Sequence, residues 1–281
     1  YNRLNQCTNL ARLYESRKAE YTYDGSGRLT GAKYNFADSA VWVNSSWSFD
    51  GAGNRVSDNG GNLGSQRGFT YNAMNQMLVA TSGAATVRFQ YDLNGNLTND
   101  GTRVYAWDAE NRLTCVTPVS LATGARRVAF MYDDMSRRIR KTVDTWTGSA
   151  WVGYSTNTFI WDSWNPVAEI CVRSSGTTTN FYVWGIDHAN SASSDSGGVG
   201  ALLAVKSGKD VYYPFCDKQG NVMGLVDSTG TNVVARYEYS PWGELISASG
   251  PAAGICAFRY STKYYDSEIP LYYYGHRYYS P

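Results

Sequence analysis

The chain has 281 residues, of which 43% are hydrophobic, 15% aromatic and 17% charged, with a formal net charge of +1. Both charge signs are scattered, so no basic stripe predicts nucleic acid as a partner, and no stretch approaches the ~20 apolar residues of a membrane span. Tyr, Trp, Thr and Val favour strands and Gly and Asn favour tight turns, so a chain with 23 Tyr and 28 Gly is predicted to be all-β.

The chain begins YNRLNQCTNL, without an initiator Met or an apolar signal core. We interpret it as an internal or processed part of a longer protein, and Pro281 as a boundary rather than a natural end. The cysteines are isolated, with no CxxC or Cys/His spacing, which argues against a disulfide framework, a zinc site or any other metal or cofactor. They are Cys7, Cys115, Cys171, Cys216 and Cys256.

One short phrase recurs along the chain. It consists of an aromatic residue, Asp or Asn, two variable residues, Gly or Asn, a polar residue, and then Leu, Val or Ile. The copies are YDGSGRLT at 23–30, FDGAGNRVS at 49–57, YNAMNQML at 71–78, YDLNGNLT at 91–98, WDAENRLT at 107–114 and YDDMSRRIRK at 132–141. Looser copies are WDSWNPVAE at 161–169, CDKQGNVMGLV at 216–226 and YSPWGELI at 239–246.

The phrase predicts a β-hairpin turn. Its Asp or Asn side chain can accept hydrogen bonds from backbone amides two residues on, and its Gly can take a positive φ without steric cost. Asn111 also tolerates that conformation, whereas Ser136 fits it less well. A lone hairpin is barely stable, so neighbouring hairpins are expected to pair into one strip. The residues assigned to this structural framework are Tyr23, Asp24, Gly27, Tyr91, Asp92, Gly95, Trp107, Asp108, Asn111, Asp217, Gly220, Tyr265, Asp266, Tyr278 and Tyr279.

The phrase resembles the YD repeat, also called the Rhs repeat, and the C-terminal part resembles the Rhs repeat-associated core. The matching stretches are DTWTGSAWVGY, FIWDSWNPVAEI, YVWGIDHAN, GGVGALLAV, YYPFCDKQGNVMGLVDSTGTNVVARYEYSPWGEL and FRYSTKYYDSEIPLYYYGHRYYSP. Ile269 and Pro270 stand where this family usually has Thr-Gly, and Ser280 stands where Asp is usual. The resemblance divides the chain into a YD-repeat hairpin array over 1–141 and an Rhs repeat-associated core over 142–281, continuous with the same shell.

The resemblance implies a continuous, spiralling β-strip that forms a curved sheet or part of a hollow β-shell or barrel. Such shells commonly enclose a C-terminal toxin in bacterial polymorphic toxins and insecticidal toxin complexes, and a related shell serves adhesion in animal teneurins. We therefore expect a non-catalytic segment of a large bacterial secreted or cell-surface protein that encloses or presents a C-terminal effector. Its partners would be the rest of its own polypeptide or further copies of itself.

Two other functions remain open. One is a structural or adhesive surface module without toxin cargo, including carbohydrate binding. Flat rings that stack on sugars could come from Trp42, Trp47, Trp107, Trp151, Trp161, Trp164, Trp184 and Trp242, although packing between strands is the favoured role for these side chains. The other is self-cleavage of the aspartyl type, whose segment is expected beyond residue 281.

Two local motifs resemble catalytic or metal sites but favour turns. DSGGVG at 195–200 could present Ser196 to His188 as in a serine protease, but the orienting context is missing. DLNGN places Asp92, Asn94 and Asn96 at alternate positions, as in a calcium loop. The Gly and Glu that such a loop needs further on are Leu97 and Arg103. We therefore predict no catalytic, cofactor-binding or metal-binding residue.

Overall fold

A computed structural model describes residues 2–4, 6–12, 17–35, 42–59, 66–188, 190 and 198–281. Contacts divide the chain into two compact units, Tyr1–Gly101 and Thr102–Pro281. The sequence-based division at residue 141 follows repeat content instead and stays a prediction.

The first unit is a succession of antiparallel hairpins. Strands β1 to β8 lie in one sheet in chain order, each paired with its sequence neighbours, and β9 pairs with β10. The strands are β1 (Asn9–Arg12), β2 (Arg17–Tyr23), β3 (Leu29–Asn35), β4 (Trp42–Phe49), β5 (Arg55–Asp58), β6 (Arg67–Tyr71), β7 (Met77–Ser82), β8 (Ala85–Arg88), β9 (Gln90–Tyr91) and β10 (Leu97–Asn99).

The second unit continues the same pattern with longer strands. Strands β11 to β22 again pair antiparallel in chain order, and β23 to β25 form a separate three-stranded sheet. The strands are β11 (Arg103–Trp107), β12 (Leu113–Pro118), β13 (Arg126–Tyr132), β14 (Arg138–Trp146), β15 (Trp151–Asp162), β16 (Asn165–Arg173), β17 (Gly176–Trp184), β18 (Leu202–Ser207), β19 (Asp210–Cys216), β20 (Val222–Val226), β21 (Val233–Tyr239), β22 (Leu245–Ser249), β23 (Tyr264–Asp266), β24 (Leu271–Tyr273) and β25 (Tyr278–Tyr279).

The all-β fold and the neighbour-to-neighbour strip predicted from the repeats are confirmed, and the sheets are open rather than closed barrels. Local signals suffice for this topology because each turn joins two strands that pair with each other. Among the described residues, no helix is long and apolar enough to cross a membrane.

The main hydrophobic core lies in the second unit. Side chains of the strip, such as Val205 and Leu225, are buried together with Phe258 and Tyr264 from the C-terminal region. The three-stranded sheet therefore covers one face of the strip. Burying that face removes apolar surface from water at roughly 25 cal/mol per Å².

Candidate functional site

Each repeat turn is organised by its Asp or Asn side chain. Asp24 Oδ1 accepts hydrogen bonds from the backbone amides of Ser26 at 3.0 Å and Arg28 at 2.9 Å. Its Oδ2 accepts a third from Arg28 Nε at 2.7 Å. The backbone amide and the guanidinium of Arg28 lower the pKa of Asp24. The same pair of amide contacts recurs at Asn2, Asp50, Asn72, Asp92, Asp108, Asp133 and Asp217.

The third residue after the Asp adopts the left-handed conformation that closes the hairpin with a bulge. Gly27 has φ +83°, and its amide donates to the Asp24 carbonyl at 3.0 Å. The register shifts directly after this turn, so that Tyr23 pairs with Leu29. Asn111 and Ser136 adopt the same conformation, at φ 59° and 63°. Serine at this position carries the steric strain that glycine avoids.

The aromatic residue of the phrase ties its hairpin to the preceding one. The hydroxyl of Tyr91 donates to the carbonyl of Met77 at 2.9 Å, and that of Tyr132 donates to Leu113 at 2.7 Å. Both carbonyls belong to the first residue of a return strand. Equivalent bonds run from Tyr71 to Arg55, from Tyr239 to Val222 and from Trp161 Nε1 to Arg138. Tyr and Trp thus supply both a packed ring and a donor at this position.

A second set of bonds joins one turn to the next. The residue four positions after the turn Asp projects onto the following turn, so that Arg112 Nη1 donates to the carbonyl of Asp133 at 3.2 Å. Arg137 Nη1 likewise donates to the carbonyl of Ser163 at 2.8 Å. In the first unit the corresponding contacts join Gln6 to Gly27, Arg28 to Asp50, Asn54 to Asn75 and Gln76 to Gly95. We call these contacts the turn ladder.

The C-terminal members of the predicted framework lie in the three-stranded sheet instead. Tyr265 and Asp266 belong to β23, and Tyr278 and Tyr279 form β25. The carbonyl of Asp266 accepts from the amide of Ile269 at 3.1 Å, as in the other turns. Its carboxylate, however, points into the core.

Asp266 is the centre of a buried ionic network. Its carboxylate is fully buried and accepts from Arg138 Nη1 at 2.5 Å and from Lys141 Nζ at 3.1 Å. Lys141 also contacts the carboxylate of Glu268 at 3.2 Å. The Arg138 guanidinium carbon lies 4.4 Å from the ring centre of Tyr273, one of four rings within cation–π distance. The network therefore fixes the three-stranded sheet to β14.

Glu169 on β16 forms a second buried polar centre. Its carboxylate accepts hydrogen bonds from Asn157 Nδ2 and from the hydroxyls of Tyr182 and Tyr264, all at 2.6 Å. The side chain is only 3% exposed. A buried carboxylate costs free energy unless hydrogen bonds replace its hydration, and the three donors do so here. Tyr264 therefore joins β23 to the strip.

The electrostatic environment holds these groups in their paired forms. Burial lowers the pKa of Lys141, but attraction to Asp266 and Glu268 outweighs it, so the pKa is raised overall. Burial raises the pKa of Tyr264 well above its ordinary value, reinforced by the charge of Glu169. At neutral pH the cations are charged and the tyrosines are neutral donors. This arrangement suits a structural clamp rather than proton transfer near pH 7.

The opposite face of the three-stranded sheet is covered as well. Tyr272 is fully buried, and its hydroxyl donates to the carbonyl of Gly243 at 2.8 Å. Tyr279 donates to the carbonyl of Trp242 at 2.5 Å. Alternating tyrosines thus bond to different parts of the strip, which explains why the C-terminal segment is so rich in a residue that combines a ring with a hydroxyl.

Two sequence motifs resembled catalytic or metal sites, DSGGVG at 195–200 and DLNGN at 92–96. Asp195 and Ser196 lie outside the described residues, while His188 lies in a turn where its amide donates to Val199. The Asp92 carboxylate accepts three hydrogen bonds from its own turn. Within the described ranges no cluster of acidic, His and Cys residues could hold a metal ion. All five cysteines are free thiols.

The family follows from comparison with known proteins. The family model for the teneurin YD-shell matches residues 1–152 and 188–281. The chain belongs to the teneurin YD-shell family. The resemblance inferred from the repeat phrase is thereby confirmed. The repeat turns, the turn ladder and the ionic network of Asp266, Arg138 and Lys141, which we call the buried clamp, hold the strip of this YD-shell chain together.

Individual relatives are much longer proteins. The tRNA nuclease WapA of Bacillus subtilis strain 168 is 31% identical over 239 residues, which cover 84% of this chain and 9% of that protein. The tRNA3(Ser)-specific nuclease WapA of Bacillus spizizenii matches with the same identity and coverage. The solved Tc holotoxin pore of Photorhabdus luminescens is 17% identical, with a TM-score of 0.49, over 94% of this chain and 16% of that one.

The repeat phrase did not reveal the clamp. Arg138 and Asp266 are 128 positions apart in the sequence. Both are charged residues of the kind usually found at the surface, so residue type alone does not predict that they are buried. The only available signal was the cationic pair of Arg138 and Lys141 at the start of a strand that also carries the buried Val143. The turn ladder had a clearer signal, since Arg, Asn or Gln recurs four positions after the turn Asp or Asn.

Proposed function

We propose that this chain is a non-catalytic segment of the β-shell of a large exported bacterial protein, and that the shell encloses or presents a C-terminal toxin or effector. Two features support the proposal: the antiparallel strip of the second unit and the C-terminal sheet that is clamped onto it. The proposal rests mainly on the buried Asp266 network. This network attaches the C-terminal three-stranded sheet to β14 of the strip.

The chemistry of this centre supports a structural role. Each buried charge is engaged by an opposite charge or by several hydrogen bonds, as for Asp266 and Glu169. A catalytic carboxylate needs access to a substrate and a pKa near its working pH. The nuclease names of the WapA relatives refer to proteins of which this chain covers 9%, so we assign that kind of activity to other parts of such proteins.

The gene that encodes this chain provides the test. We expect codons after Pro281 that specify a further domain. Produced alone in bacteria, that domain should arrest growth, whereas the full-length protein should be tolerated. In the full-length protein the domain should resist added protease, and Asp266→Ala should make it accessible. A variant of the exposed first-unit turn, Asp24→Ala, should leave that resistance unchanged.

Two outcomes would contradict the proposal. A stop codon directly after Pro281 would favour a surface assembly or adhesion module instead. A downstream domain that is harmless alone and is cleaved freely in the full-length protein would show that nothing is enclosed.

A further inference from the structure

The second unit contains a cavity of about 380 Å³ beside the buried clamp. Ligand-binding cavities in proteins commonly measure about 300–1,000 Å³, and walls rich in aromatic side chains are typical of them. Rings from β15, β17 and the C-terminal region form most of the walls here. They are Phe159, Trp161, Trp164, Trp184, Phe258, Tyr264, Tyr273 and Tyr274. Such walls favour a ligand with a flat, apolar body, because aromatic rings attract one another in stacked and edge-to-face arrangements.

The tryptophan rings are held in place by the fold. Trp161 Nε1 donates to the carbonyl of Arg138 at 2.9 Å, and Trp184 Nε1 donates to the carbonyl of Pro166 at 2.8 Å. Trp164 packs against the ring of His276 at a centroid distance of 4.6 Å. The walls are therefore fixed before any ligand arrives, which reduces the entropic cost of binding.

Apart from the tyrosines, the ionisable groups that line the cavity are basic. They are Arg138, Lys263 and His276, and no Asp or Glu among the described residues lines it. The Arg138 side chain is only 1% exposed and is paired with Asp266, so it acts on a ligand through its charge and not by contact. Lys263 is half-buried, and its Nζ lies 5.5 Å from the ring centre of Tyr274 in the cavity wall. Lys263 is therefore an ammonium group that a ligand can reach.

The positive charge of Lys263 is only partly compensated by the protein. Burial lowers the pKa of Lys263 to about 8, although the charge of Asp187 acts in the opposite direction. A further negative charge beside the ammonium group would favour its charged form. The tyrosines of the wall do not supply that charge at neutral pH, because burial raises the pKa of Tyr264, Tyr273 and Tyr274. The cavity thus favours an occupant that brings a negative charge with it.

We propose that this cavity binds an organic carboxylate with a flat, aromatic body, and that the carboxylate pairs with Lys263. The body would pack between the tryptophan and tyrosine rings, and the ion pair would form where little water screens it. A single ammonium group matches the single charge of a carboxylate, whereas a phosphate dianion would need several further donors. This proposal does not depend on the proposed enclosure of an effector.

Titration calorimetry on the intact protein tests the proposal with three probes, phenylacetate, phenylacetamide and acetate. Phenylacetate should bind. Phenylacetamide has the same shape without the charge and should bind about ten- to a hundredfold more weakly, the range expected for a hydrogen bond to a charged group. Acetate keeps the charge but lacks the ring, and it should also bind more weakly than phenylacetate. The proposal is overturned if phenylacetate does not bind, or if either of the other probes binds as tightly.

The pH dependence of binding tests the role of Lys263 directly. Because its pKa is about 8, most of the Lys263 side chain is neutral at pH 9, so phenylacetate should bind about tenfold more weakly there than at pH 7. Binding at pH 9 should take up protons, which calorimetry detects by comparing buffers with different heats of ionisation. Lys263→Met should abolish this proton uptake and lower the affinity for phenylacetate to that for phenylacetamide.

A second lysine provides the matched control. Lys206 lies 6.0 Å from the ring centre of Phe181 but does not line the cavity, so Lys206→Met should leave both the affinity and the proton uptake unchanged. Equal effects of the two lysine variants would overturn the proposal, as would the absence of proton uptake by the unaltered protein. If Lys263→Met does not fold, the comparison of the three probes and the proton uptake of the unaltered protein still decide the question.

Discussion

The two units use the same repeat turn but are stabilised differently. In the first unit the described buried hydrophobic residues are Ala19, Ala32, Val43, Trp47 and Phe69, and the buried Asp58 pairs with Arg67, whose side chain is 46% exposed. In the second unit a three-stranded sheet covers the strip, and Asp266 pairs with cations that are as buried as itself. The turn phrase alone therefore makes hairpins, whereas a core requires a second layer.

Alkaline pH should produce the largest difference in stability between the two units. Burial raises the pKa of Tyr182, Tyr264 and Tyr278 well above the ordinary value. Their contribution to stability is thus complete below about pH 10, the ordinary tyrosine pKa, and is lost as the pH rises above it. Each unit of pKa shift corresponds to about 1.4 kcal/mol. Hydrogen exchange read by peptide should show the second unit opening steeply above that pH.

Tyrosinate absorbance provides the control for the alkaline transition. Ionisation of the buried tyrosines should coincide with the loss of structure. If these hydroxyls ionise near pH 10 while the far-ultraviolet circular dichroism stays native, they are not held by burial as described.

Removal of Asp266 should have the next largest effect. Asp266→Ala leaves Arg138 and Lys141 buried without their shared counter-charge, and stranding a buried charge costs about 3–5 kcal/mol. The matched variant Asp58→Ala should cost less, since Arg67 stays largely hydrated. Urea unfolding gives the free energies, and hydrogen exchange assigns them to a unit. Equal losses for both variants would refute the contrast.

Removal of a single tyrosine hydroxyl should show the same difference in stability between the units, with a smaller loss of unfolding free energy. Tyr264→Phe removes a hydrogen bond to the buried Glu169 carboxylate, and bonds to charged groups contribute about 1.5–3 kcal/mol. Tyr71→Phe removes a bond to the Arg55 carbonyl, of the neutral kind that contributes about 0.5–1.5 kcal/mol. Thermal unfolding of both variants should rank them in that order, and the reverse order would mean that Glu169 does not depend on Tyr264.

The turn itself should behave alike in both units. Gly53 has φ +90°, and no atom lies within 4 Å of the position that a Cβ would occupy, so Gly53→Ser tests backbone strain alone. The left-handed strain costs about 1–2 kcal/mol and is partly offset, because serine loses less backbone entropy on folding than glycine, by about 0.5–1 kcal/mol. The reverse change, Ser136→Gly, should stabilise the protein by a similar net amount. Urea midpoints that move in the same direction for both would contradict a shared turn.

Sequence reasoning succeeded where the signal was local. Asp24 and Gly27 lie within one turn, so their types and spacing predict the hairpin and its partner strand. Arg138, Lys141 and Asp266 converge only after the C-terminal sheet has docked, and no short-range pattern encodes that docking.

The turn ladder has a consequence for how such chains can change in length. Within a unit, the aromatic residues of successive repeats that the ladder joins are 20 to 29 positions apart, yet each ladder contact still joins one turn to the next. Residues can therefore be gained or lost at the loops on the other side of a hairpin without disturbing these contacts. Deletion of a single turn residue would instead break the contacts on both sides. Insertions or deletions of whole hairpins or of loop-tip residues are therefore compatible with the turn ladder, whereas a change of length within the turn phrase is not.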